Sequence, residues 1–123
     1  MVELSLNITR NVDAKGRKWG EKYVENDVTT SQLRQIYGEI KRAETEFRVE
    51  DDIDKAKQTL VLLKPHLAYA ASRHDEMEIV KEDFFEYIDK AVNGNAKNIE
   101  VFFQLMEATM AYHSYFGEKG GSS

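Results

Sequence analysis

The chain of 123 residues has no cysteine and a single proline, Pro65. The first absence excludes a disulfide framework, a thiolate zinc site and a cysteine nucleophile, and it fits a reducing compartment. Glycines are few, and strand signals are nearly missing: there is no sustained alternation and no hairpin dipeptide between β-branched runs. No apolar run approaches the roughly 20 residues needed to span a bilayer. The start, Met1 to Ile8, carries Glu3 and no basic region, so no signal peptide is expected there. These readings predict a cytoplasmic protein with no membrane partner.

What remains suits one helical domain with one core, expected over residues 1–117, with a polar, glycine-rich and disordered tail over 118–123. At this length a domain buries about two-thirds of its unfolded surface and needs no covalent staple. The formal net charge is -5. Acidic and basic side chains balance through residue 75, so the whole excess lies between residues 76 and 123. An acidic total counts against general nucleic-acid binding, but a local basic stripe can still hold phosphates.

The fold class predicted is all-α, a compact bundle of about five helices. The first segment is expected from Asp13 to Glu25 with Trp19 and Tyr23 inward, weakened by Gly16 and Gly20 at about 1 kcal/mol each. The second starts at the cap cluster Thr29-Thr30-Ser31 and runs to Arg48, with Leu33, Ile36, Ile40, Ala43 and Phe47 on one face. The third follows Glu50-Asp51-Asp52 and carries Leu60, Leu63 and Leu67 inward. Pro65 removes the bond to the Val61 carbonyl, which predicts a kink or break there. The fourth spans Glu76 to Val92. The fifth, from Ala96 to Phe116, is apolar around much of its circumference and is expected to be central.

Catalytic and metal signals are weak. His74-Asp75 resembles half of a metal-binding pair, but no second pair or Glu-x-x-His arrangement accompanies it. It reads as a polar helix boundary. His113, on the aromatic-rich segment, reads as a packed or partner-contact histidine. There is no glycine-rich phosphate loop and no nucleophile elbow. No enzyme activity, cofactor or metal is expected.

The basic residues are more informative. Arg34, Lys41 and Arg48 recur every seven residues, close to two helical turns, so they share a stripe. Gly38 and Thr45 fall between them and are small, which leaves room for a sugar-phosphate backbone. Lys57 and Lys64 repeat the spacing on the third segment, and two such rows on adjacent helices would form a groove. Tyr69 precedes Arg73 by one turn, an aromatic beside a cation, which can stack on a base or hold a ribose or can be partly buried core.

Two stretches carry a resemblance: Thr29-Thr30-Ser31-Gln32-Leu33-Arg34, and Leu62-Leu63-Lys64-Pro65-His66-Leu67-Ala68-Tyr69-Ala70-Ala71-Ser72-Arg73. Together with the ending Ala111-Tyr112-His113-Ser114-Tyr115-Phe116-Gly117 they resemble the small helical subunit of the type III-A CRISPR effector, the Csm complex. The likeness covers about residues 28–117. It departs from the family pattern at His66, in place of a second lysine, and at Ser72, in place of glycine. It implies a non-catalytic bundle that stacks in several copies beside other effector subunits in antiviral defence. It also implies contact with the backbone of the guide RNA–target RNA duplex without base reading. Carried over by motif, Gln32, Arg34, Lys64, Tyr69 and Arg73 are the RNA-contact candidates; Lys41 and Arg48 join them from the helical stripe. A homodimer of the isolated protein, through the apolar fifth segment or a hinge at Pro65, is a further expectation, and a protein-interaction module with no RNA role is the alternative.

Overall fold

A computed structural model describes residues 2–119. It is all-helical among those residues: α1 Leu6–Glu25, α2 Thr30–Arg48, α3 Ile53–Arg73, a short 3-10 turn Asp75–Met77, α4 Glu78–Asn93 and α5 Ala96–Lys119. None of these helices is long and apolar enough to cross a membrane.

Three caps decide where helices begin. Ser5 accepts a hydrogen bond from the Ile8 amide and starts α1 seven residues before the expected Asp13. The alternation of Val2, Leu4, Leu6 and Ile8 with polar residues hid that start, since it imitates a strand. Thr29 and Gln32 form a reciprocal capping box at α2, satisfying two amide donors that the helix itself leaves unpaired. Asp52 accepts from the Lys55 amide at the head of α3. The α1–α2 turn places Asp27 in the left-handed region at φ 66, which an aspartate tolerates better than most side chains.

The break expected at Pro65 does not occur, because α3 is continuous from Ile53 to Arg73. Leu60 and Leu63 before the proline and Leu67 after it are fully buried on one face, and that burial favours continuing the helix. Pro65 itself is exposed, and so is Val61, whose carbonyl loses its partner and can turn to water.

Side-chain pairs fix the order of the bundle. Glu39 meets His66 and Glu46 meets Thr59, so α2 and α3 are antiparallel. Lys57 reaches the Gly94 carbonyl and Lys64 reaches Asp89, so α3 and α4 are antiparallel. Lys22 and Tyr23 share Asp83, and Trp19 stacks on Phe84, which sets α1 antiparallel to α4. In contrast, α1 and α5 run parallel: Gly16 lies against Ala108, and Gly20 against His113 one turn further along both helices. A methyl group at Gly16 would stand 2.5 Å from the Ala108 Cβ, and one at Gly20 would stand 2.6 Å from the His113 amide. The two glycines expected to weaken α1 are therefore what lets it approach α5 so closely.

Helix α5 lies among α1, α2 and α4, burying Ile99, Phe102, Phe103, Leu105 and Met106. It extends past the expected end at Phe116 to Lys119. Of the expected tail, residues 120–123 lie outside the described residues.

Candidate nucleic-acid interface

The stripe of cations on α2 flanks α5, and its members differ in how far they are committed. Arg34 is exposed and has no hydrogen bond or ion pair among the described residues. Lys41 pairs with Glu44 at 2.8 Å and lies 5.8 Å from the Tyr37 ring. Its pKa is raised, first by the hydrogen bond from its ammonium to Glu44 and then by that carboxylate's charge. Arg48 is held between Glu44 and Glu100, and Glu100 is 2% exposed and also accepts from Gln104. Arg48 thus neutralises a buried carboxylate, a role that fixes its guanidinium in place. Gly38 has open space where a side chain would be.

Across α5 from this stripe stands a second row. Arg10 and Arg17 on α1 have the same seven-residue spacing as Arg34 and Lys41. Arg10 is exposed with no partner among the described residues, and the Arg17 guanidinium lies 5.7 Å from the Phe116 ring. Between the two rows runs a shallow groove. Thr9 and Asp13 of α1 form one side, Arg48 of α2 the other, and Gln104, Glu107, Ala108, Ala111 and Tyr112 of α5 the floor. Tyr112 donates its hydroxyl hydrogen bond to Asp13, which raises the phenol's pKa. Of the α2 row, Arg48 lines the groove.

The α1 row was missed in the sequence because the first helix was started three residues after Arg10. The available signal was the repeat of Arg10 and Arg17 at the spacing already noted on α2.

The remaining candidates sit elsewhere. Gln32 closes the α2 capping box and donates to Glu76 at 2.8 Å, tying the start of α2 to the α3–α4 link. Hydrogen bonding from Gln32, and then from its own backbone amide, holds the Glu76 carboxyl below its ordinary pKa. Lys64 pairs with Asp89 at 2.7 Å and lies over the Phe85 ring, so it faces α4. The groove expected between the α2 and α3 rows is absent. Lys57 and Lys64 turn toward α4, whereas Arg48 turns toward Glu100 of α5, because the buried leucines of α3 set its rotation. Tyr69 is 62% exposed on the outward side of α3, where its hydroxyl accepts from Arg73 at 2.9 Å. The structure therefore joins Arg34, Lys41 and Arg48 on one face, and Tyr69 with Arg73 on another.

Two of the three histidines are held in internal pairs, His66 with Glu39 and His113 with Val28, and the third stands at a helix end. His74 is the residue between α3 and the 3-10 turn, and its backbone amide bonds to the Ala70 carbonyl. The buried His113 donates from Nε2 to the Val28 carbonyl at 2.7 Å, fastening the α1–α2 turn to α5. No three His, Cys, Asp or Glu side chains converge as a metal site among the described residues.

The family model described as Csm2 Type III-A matches residues 7–119, nearly the whole chain. No curated protein and no solved structure matches. With the family model spanning all five helices of the bundle, the chain belongs to the Csm2 type III-A family, the small subunits of the type III-A CRISPR effector.

Proposed function

We propose that the chain is a non-catalytic, cytoplasmic subunit that supports the guide RNA–target RNA duplex from one side and bridges neighbouring effector subunits. It holds the duplex by its phosphates and sugars, without base specificity, along the groove between α1 and α2. The observation that carries this reading is the pair of cation rows around α5. Arg34 and Arg10 have no partner within the described chain, and Arg17 and Lys41 stand beside aromatic rings. Exposed guanidiniums on the helices flanking this groove, whose floor has Ala108 and Ala111 beside Glu107, suit a phosphate backbone that must come close. The seven-residue spacing sets the cations of each row about 10 Å apart along the helix, which selects alternate phosphates rather than base edges.

An acidic chain is consistent with this role, because the acids of the C-terminal half lie mainly away from the groove. Glu82 and Glu86 are on α4, and Asp83 and Asp89 pair with Lys22 and Lys64. Few phosphates are neutralised per copy, so binding by the isolated chain is weak and depends on salt. The non-catalytic reading is supported by His66 and His113 being held in internal pairs.

The test is RNA binding by the assembled effector carrying Arg34→Glu or the double change Arg10→Glu with Arg17→Glu. Each is expected to weaken target binding equally across unrelated target sequences and to lower the salt slope by about 1 per cation removed. Unchanged affinity in both, with the complex intact, would replace this reading with that of a protein-interaction module lacking an RNA role.

A further inference from the structure

One buried polar atom of the bundle is left without a partner. His113 is 3% exposed, and its Nε2 donates to the Val28 carbonyl. Its Nδ1 is the one buried side-chain nitrogen or oxygen among the described residues with no hydrogen bond. With the ring hydrogen on Nε2, Nδ1 of the neutral imidazole is a bare acceptor. An acceptor buried in this way keeps its whole desolvation cost until a donor reaches it. His113 lines a cavity of about 200 Å³ where the end of α1, the start of α2 and the last turns of α5 meet. Val24, Asp27, Thr29 and Thr30 line it too. The Asp27 carboxylate and the Thr30 hydroxyl have no partner among the described residues. The Thr29 hydroxyl accepts from the Gln32 amide and keeps its own hydrogen to donate.

These groups decide the chemistry of a ligand. A phosphate or carboxylate placed in the cavity meets Asp27 and the bare Nδ1, which repel it. An ammonium meets the positive end of α2. A neutral group with adjacent hydroxyls meets neither obstacle, since it donates to the two acceptors and accepts from the two threonines. A cavity of about 150 Å³ admits a benzene ring, so this one admits a five-membered sugar ring. Arg34, exposed and without a partner, stands one turn beyond Thr30 on α2 and suits a phosphate carried outside the cavity.

We propose that the cavity binds the 2′,3′-diol of a ribonucleotide, either free or as the 3′-terminal residue of an RNA chain. One hydroxyl donates to Nδ1 of His113 and the other to the Asp27 carboxylate, as acidic side chains take ribose hydroxyls in dinucleotide sites. The Thr29 and Thr30 hydroxyls donate back to the sugar oxygens, and Val24 packs on the carbon face of the ring. Because the 2′-hydroxyl fills one of the two acceptors, a deoxyribose leaves that acceptor unpaired and is refused. No residue lining this cavity lines the groove between α1 and α2, so the two sites are separate.

The experiment is an NMR titration of the full chain with isotope-labelled histidine, following the Nδ1 resonance of His113. The probes are adenosine 5′-monophosphate, its 2′-deoxy analogue, inorganic phosphate and an RNA trinucleotide with a free terminal diol. The ribonucleotide is expected to bind with a Kd of about 1 mM and to move the resonance upfield, the direction of a nitrogen that gains a hydrogen bond. The deoxy analogue should bind about 10-fold more weakly. Asp27→Gly, which keeps the left-handed turn and removes the carboxylate, should lose about 10-fold, and Thr30→Val about 3-fold. Helicity of both variants shows that they are folded. A trinucleotide that binds as well as the free nucleotide makes the ligand an RNA end, and one that binds less well makes it a small molecule. A resonance that stays still with both, the same movement with phosphate alone, equal binding of the deoxy analogue, or unchanged binding in Asp27→Gly each overturns the proposal. With no lining residue in common, none of these results bears on the duplex reading.

Discussion

Gly16 of α1 and Ala108 of α5 approach so closely that the missing side chain of one is filled by the methyl of the other. Gly16→Ala should gain about 1 kcal/mol of helix propensity and lose more to the clash, for a net destabilisation of about 2 kcal/mol by urea unfolding. Gly38 is the opposite case, with nothing near it, and Gly38→Ala should stabilise the chain by about 0.5–1 kcal/mol. A destabilised Gly38→Ala would show that this site is more crowded than the geometry described above.

Arg34 and Arg48 belong to one stripe but should behave differently when cut back to alanine. Arg34→Ala should leave stability within about 0.5 kcal/mol of the parent, since no bond within the described chain is lost. Arg48→Ala strands the buried Glu100 with only Gln104 beside it and should cost about 2 kcal/mol or more. Thermal melts of the two variants side by side decide this. Equal effects would mean that Glu100 draws little from its arginine.

The bond between Gln32 and Glu76 predicts an acid dependence. The folded-state carboxyl titrates below its ordinary value of 4.5, so its contribution to stability is present above that value. It is lost as pH falls through the lower, folded value. The stability gap between the parent and Gln32→Ala should therefore narrow below about pH 4.5. A remainder from the capping box with Thr29 should persist at every pH. A gap of constant size across the acid range would show that Glu76 contributes nothing to it.

Tyr23 predicts the alkaline counterpart. Burial first, and then the charge of Asp83 and the hydrogen bond to it, push the phenol well above its ordinary value of 10.0. A raised folded value favours the protonated phenol, so its contribution is complete below pH 10. It declines as pH rises from there toward the folded value. The parent should lose stability more steeply above about pH 10 than Tyr23→Phe, which has no phenol to ionise. Parallel unfolding curves for the two at high pH would refute this.

The helical spacing of Leu33, Ile36, Ile40 and Phe47 made α2 readable, because the cap cluster, the apolar face and the end near Arg48 all agree. The pairing of helices was not readable. Nothing in the pattern of α3 alone reveals that Lys57 and Lys64 turn toward Gly94 and Asp89, since that rotation follows from which leucines are buried and against what. The Pro65 break failed for a related reason: local chemistry argued for it, and burial on both sides of the proline outweighed it. The exposed place of Arg34 on the α2 stripe was legible from the seven-residue spacing. Its counterparts Arg10 and Arg17 were hidden by a misplaced helix start, and Gly16 and Gly20 by a propensity argument with no view of the neighbour they accommodate.

Five helices packed alternately up and down among the described residues, with α1 and α5 parallel, send the start of α1 and the end of α5 to opposite poles. Residue 8 is level with residue 101, and residue 24 with residue 117, so the start of α1 and the end of α5 are separated by roughly 30 Å along the bundle. A donor dye near Ser5 and an acceptor near Glu118 would therefore sit at the two poles of one copy. In a row of copies placed end to end, the acceptor of each would adjoin the donor of the next. Strong energy transfer between singly labelled proteins would then report assembly directly, and a short flexible peptide could join successive copies into one polypeptide without crossing the groove over α5.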